Sequence, residues 1–178
     1  MALAAPAGAQ FLGAPERMRE TPAAFAQRLV KLYAPNGRWW REESPAADDA
    51  YRVRVFAQFY DPRFARLMND NSTLAMKHGG GVDLDYDPVC QCQDDAGPLQ
   101  VSSVRQRSAD LADLRMKSWC ETKDAVCRGY LIVIRRIGGA WRISDVVDEG
   151  GSVRAMLVRH NACLRTSRTD AAAARCLT

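Results

Sequence analysis

The chain has 178 residues, 47% of them apolar and 26% charged, with a net charge of +4. That is the composition of one globular domain large enough for a core of its own. Lys and Arg are spread without a basic run, which argues against nucleic-acid binding, and no apolar run reaches the roughly 18 residues of a membrane-spanning helix.

Six cysteines is an even and high count for this length, and neither of the two histidines, His78 and His160, stands near a CxxC pair. Zinc-ligand spacing is absent, so disulfides are the better use of these cysteines. Disulfides imply an oxidising compartment, and the expectation is a periplasmic or secreted protein. The first residues agree. Met1 to Ala9 is small and apolar, and Ala7-Gly8-Ala9 fits a signal-peptide cleavage pattern before Gln10. Residues 1–20 read as a signal-peptide remnant and flexible lead-in, 21–162 as one domain, and 163–178 as a tail tied by cysteine.

Thr21-Pro22 is a helix cap followed by proline at the first helical position. Phe25, Leu29, Leu32 and Tyr33 follow at helical spacing until Pro35 and Gly37. Trp39 and Trp40 lie in a polar connection. A second helix is expected from about Asp48, carrying Val53, Phe56 and Tyr60 inward. Asp61-Pro62 repeats the cap-plus-proline signal for a third, with Phe64, Leu67, Met68, Leu74 and Ala75 as its stripe; Asn71 on that face reads as its fraying end. Gly79-Gly80-Gly81 closes the helical half.

Asp83 to Asp95 then packs five aspartates, two glutamines, a proline and two cysteines into thirteen residues. Strands and helices avoid that mix, so a structured crossing is expected. Asp83, Asp85 and Asp87 match the first ligands of an EF-hand loop, but Pro88 stands where that loop needs glycine, and no metal site is expected.

Beyond the crossing the apolar period changes from about 3.6 to 2. Strands are expected at Leu99–Arg107, Ala112–Ser118, Tyr130–Ile137 and Ala140–Val147, with Gly138-Gly139 as a two-residue hairpin turn. In the last strand, alternation puts Trp141, Ile143, Asp145 and Val147 on one face. Ser152 caps a final helix with Val153, Met156 and Leu157 inward, and the Ala-, Ser- and Arg-rich tail shows no core of its own. Helices followed by an antiparallel meander make an α+β domain.

The FYDPRFARLM helix, the Asp85, Asp87, Pro88, Gln93 and Asp94 crossing, and the Trp141-Arg142-Ile143-Ser144-Asp145 strand before Ser152-Val153-Arg154 together resemble a bacterial envelope family known as domain of unknown function 3828. The resemblance spans residues 21–160. It implies a cone-like fold akin to nuclear transport factor 2 (also called cystatin-like), with helices on a curved antiparallel sheet. It also implies export, often as a lipoprotein, and no settled activity. The chain departs from the family in its added cysteines, Cys90, Cys92, Cys120, Cys127, Cys163 and Cys176, and in lacking a lipobox cysteine near Ala9.

All six cysteines are disulfide candidates. Cys120 with Cys127 can bridge a hairpin and Cys163 with Cys176 can hold the tail, while Cys90 and Cys92 can each reach elsewhere; six cysteines permit about fifteen pairings. Two functions are weighed. The first is an exported, non-enzymatic binding module whose mouth, formed by Asp87, Gln93, Asp94, Trp141 and Asp145, holds a small ligand or an envelope protein, as an inhibitor would. The second is an acid–base enzyme of the isomerase or dehydratase kind, using Asp145 in an apolar pocket with Tyr60 or Tyr130. A carboxylate there would have a raised pKa, but Asp145 near the sheet's end can equally bond backbone amides. No cofactor is expected, and a homodimer is compatible with either.

Overall fold

A computed structural model describes residues 20–34, 57–79, 84, 86–91, 99–117 and 129–176. Helix α1 (Pro22–Leu32) starts where the sequence places its signal: Thr21 accepts a hydrogen bond from the Ala24 amide at 3.1 Å, and Pro22 occupies the first turn. Helix α2 (Pro62–Lys77) starts the same way, with Asp61 accepting from the Arg63 amide at 2.7 Å. Each such cap satisfies an orphan amide and stabilises its helix by about 1 kcal/mol. Gly79, at φ 64°, ends α2 in the left-handed region.

Among the described residues five strands follow: β1 (Gln100–Ser108), β2 (Leu111–Lys117), β3 (Tyr130–Ile137), β4 (Ala140–Asp148) and the two-residue β5 (Gly151–Ser152). They lie in sequence order and every pair is antiparallel. Gly138 and Gly139 make the β3–β4 turn with φ of 57° and 83°, the doubly positive pair that a two-residue hairpin requires. Helix α3 (Val153–Thr166) begins on Ser152, which accepts from the Ala155 amide at 2.9 Å, and a short α4 (Asp170–Ala174) completes the chain. The molecule is thus an α+β domain.

The core lies between one sheet face and the helices. Ala112, Leu114 and Met116 of β2, Tyr130, Ile132 and Ile134 of β3, and Trp141, Ile143 and Val146 of β4 form the sheet side. Phe25 and Leu29 of α1, Phe59 and Tyr60 ahead of α2, Phe64 of α2, and Leu157 of α3 cover it. Burying each large apolar side chain contributes roughly 1.5–3 kcal/mol.

Three expectations need correction. Alternation along β4 breaks at a bulge: Val133 pairs with Asp145 but Ile134 pairs with Ile143, so Ser144 is the extra residue. Trp141 and Ile143 stay on the core face, Val146 takes the next buried place, and Asp145 and Val147 turn to the opposite face. Asn71 is no fraying end. It is buried in the middle of α2, and its Nδ2 donates to Asn161 Oδ1 of α3 at 3.1 Å, while Asn161 Nδ2 donates to the Leu67 carbonyl at 2.9 Å. The tail is not without a core: Ala173 and Cys176 bury against Leu164 and Leu74 in a second, smaller cluster.

The Cys163–Cys176 disulfide spans a Cα–Cα distance of 5.6 Å and holds that cluster together, one of the two pairings expected. Cys90 is disulfide-bonded. Cys92, Cys120, Cys127, Trp39, Trp40 and the segment expected to be a signal-peptide remnant lie outside the described residues, as does most of the expected second helix, of which residues 57–59 are helical. Tyr60 has already left that helix, forming a lone parallel bridge with Ile143.

Candidate functional site

Asp87 is the centre of the crossing. Its Oδ1 accepts from the Val89 amide at 2.8 Å, a side-chain-closed turn of the kind Asp favours, and its carbonyl accepts from the Gln91 amide at 2.8 Å. Gln91 pays for the tight reversal with a φ of 56°, and its Nε2 donates to Asp148 Oδ2 at 3.2 Å, tying the crossing to the end of β4. Asp87 Oδ2 accepts from the Tyr33 hydroxyl at 2.6 Å. The Tyr130 hydroxyl donates to the Val89 carbonyl next door.

Tyr33, Tyr60 and Tyr130 thus gather around one carboxylate, contributed by the end of α1, the approach to α2 and the start of β3. Burial raises all three phenol pKa values, because a tyrosinate would lose its hydration. The Asp87 charge raises each further, since a second anion beside the first is disfavoured. For Tyr60 the hydrogen bond with Tyr33 acts in the opposite direction without reversing the shift. The three hydroxyls therefore stay protonated at neutral pH and serve as donors.

A second polar cluster forms at the bulge. The Ile143 carbonyl accepts from the Asp61 amide at 2.8 Å. The Ser144 carbonyl accepts from Arg154 Nη1 at 3.2 Å, and that guanidinium also lies 3.8 Å from Asp61 Oδ2. Asp145 Oδ2 accepts from the Ser152 hydroxyl at 2.6 Å and its Oδ1 from the Arg154 amide at 3.0 Å. Three consecutive residues of β4 therefore receive the starts of both α2 and α3.

The predicted mouth does not assemble as one surface. Trp141 is fully buried, its indole N–H donates to the Glu20 carbonyl at 2.8 Å, and Arg136 stacks 4.5 Å above its ring. Asp145 faces away from Trp141 across the sheet, for the bulge reason given above. Asp87 keeps a polar role, but its hub partner, Tyr33, was missed. An inward tyrosine at the end of an amphipathic stripe must find a hydrogen-bond partner, and that was the available signal. Gln93 and Asp94 lie outside the described residues. Among the described residues no group of three or more His, Cys, Asp or Glu is placed to hold a metal ion, and no helix is long and apolar enough to cross a membrane.

A cavity of about 310 Å³ lies elsewhere, between the end of α2 and the tail. Ala75, Gly79, Leu164 and Ala173 line it, and His78 Nδ1 stands 3.5 Å from Asp170 Oδ1 at its rim. It shares no lining residue with either polar cluster.

Fold and clusters define a helix-backed antiparallel meander with two internally bonded polar junctions. No protein-family model matches the chain. A stretch of 93 residues, 50% of the chain, is 40% identical to the uncharacterized protein YqhG of Escherichia coli (strain K12). The match spans 28% of that protein's length.

Proposed function

We propose that this domain is an exported binding module of the bacterial envelope, of the cone-like, nuclear transport factor 2-like type, that engages a protein segment or a small ligand without catalysing a reaction. One observation carries the reading. Each of the two candidate carboxylates, Asp87 and Asp145, has both oxygens occupied by donors of its own chain. Such groups build a framework; a general base must instead present a lone pair to a substrate proton. The Cys163–Cys176 disulfide supports an oxidising compartment, hence the periplasm or outside.

The rival acid–base reading needs Asp145 in an apolar pocket, whereas Asp145 shares the face of Val133 and caps α3. The test is native mass spectrometry of the protein taken from its host's envelope fraction, run beside Asp145→Asn. A retained protein or small mass supports the module. A discovered turnover that Asp145→Asn abolishes while leaving the melting temperature unchanged sinks it.

A further inference from the structure

Among the described residues strand β1 stands at one edge of the sheet; it is nine residues long, with all but Val101 exposed. An edge strand carries a row of backbone N–H and C=O groups with no ladder partner on its outer side. The register with β2 is regular from Ser103 to Gln106 and shifts on either side, between Val101 and Ser103 and between Gln106 and Ser108. The four residues between the shifts form the straight part of the edge.

The two faces of that part differ. Val104 pairs with Leu114 and so points to the core side, yet it is 37% exposed. Arg105 pairs with Asp113 on the other side. Both Asp113 oxygens are taken by Arg107, so Arg105 stands exposed and uncompensated by its cross-strand neighbour, with Arg115 exposed on the same face.

We propose that the Ser103–Gln106 edge accepts an extended segment of a partner protein in which apolar and acidic residues alternate. Side chains of an added strand point alternately to the two faces. One set would cover Val104 and the other would meet Arg105 and Arg115. Backbone hydrogen bonds supply affinity in this mode, and the alternating side chains supply choice. A second copy of this chain is the wrong occupant: antiparallel edge-to-edge pairing would set Arg105 against the arginines of its twin, and like charges in facing positions destabilise a sheet. The proposal rests on the binding-module reading and names its partner surface.

The experiment titrates the full chain with three labelled hexapeptides and reads fluorescence anisotropy. One alternates Val and Glu, one alternates Val and Lys, and the third is the Val/Glu peptide N-methylated at alternate amides. The expected result is that only the unmodified Val/Glu peptide binds, with affinity at least about tenfold above the others, a gap of about 1.4 kcal/mol. Arg105→Glu should remove that preference, and hydrogen exchange should slow at Ser103–Gln106 when the peptide is bound. Equal binding of all three peptides, no binding, or binding that survives Arg105→Glu overturns the proposal. So does a dimer, by sedimentation, that Val104→Pro dissociates. A partner retained from the envelope equally by Arg105→Glu and Val104→Pro variants would keep the binding module and sink only this edge.

Discussion

At the scale of single residues, Tyr33 shows how a hydroxyl decides a site. Its ring is core and its oxygen reaches Asp87, 54 residues away in sequence. Tyr33→Phe keeps the packing and deletes the donor, and should cost about 1–3 kcal/mol in urea denaturation, because Asp87 is left under-satisfied. The pH dependence has a definite sign. In the unfolded chain a tyrosine ionises near about pH 10, and in the fold Tyr33, Tyr60 and Tyr130 ionise higher. Above about pH 10 the unfolded state therefore releases protons that the folded state keeps, and stability falls. The contribution is complete below that pH and is lost at up to about 1.4 kcal/mol per pH unit per tyrosine as pH rises. Denaturation curves at stepped alkaline pH should show this decline, and Tyr60→Phe should make it shallower. Asp145→Asn belongs at the same scale: it weakens the bonds from Ser152 and Arg154 and should lower stability by about 1–2 kcal/mol, read as a lower melting temperature with an unchanged circular dichroism spectrum.

Elements are joined here by polar contacts that a single sequence shows only in part. Helix starts were legible, because Thr21-Pro22, Asp61-Pro62 and Ser152 carry their capping chemistry locally. The Gly138-Gly139 hairpin was legible for the same reason, since φ preference belongs to the residue. The bulge at Ser144 was not, because an extra residue in one strand is defined only against its partner, and alternation read along β4 alone misplaces Asp145. Nor was the Asn71–Asn161 pair, which joins α2 to α3 across 90 residues. Polar residues on an apolar stripe read as a flaw until the facing helix supplies a match. Asn161→Ala should cost about 1–3 kcal/mol, since it removes the buried bonds that Asn161 makes to the Leu67 carbonyl and with the Asn71 side chain. Replacing both asparagines by leucine should cost less than the two single changes summed, and a double-mutant cycle in urea measures that coupling.

For the whole molecule, the disulfide divides stability into two parts. The main core needs no tail residue, while the second cluster of Leu164, Ala173 and Cys176 depends on the tail being held. The Cys163–Cys176 bridge closes a separation of 13 residues, worth about 3 kcal/mol in the chain-entropy account. Replacing both cysteines by alanine should release α4 locally: trypsin should cut at Arg168 and Arg175 much faster, while the main melting transition persists. The candidate site was less legible than the fold at this scale. The crossing was located correctly around Asp87, but gathering Asp87, Trp141 and Asp145 into one mouth required knowing which sheet face each occupies.

The bulge has a consequence for how the chain tolerates changes in length. Deleting Ser144 would restore an even strand with Asp145 and Val146 still on their present faces, because Val133 would keep its pairing with Asp145 and Ile134 with Ile143; what it would remove is the local bend and added twist of the bulge. The Ser144 carbonyl that accepts from Arg154 would go with it, and the Ile143 carbonyl and Asp145 carboxylate would sit on adjacent residues, altering how the starts of α2 and α3 meet β4. Most insertions and deletions in a protein are absorbed by loops. In a scan of single-residue deletions across this chain, position 144 should be better tolerated than Ile132 of β3, where no extra residue absorbs the loss, and serine itself, small and with its hydroxyl bonded to the Val133 carbonyl, should accept substitution by alanine or threonine. The bulge thus holds a residue that the pairing of the strands does not itself require.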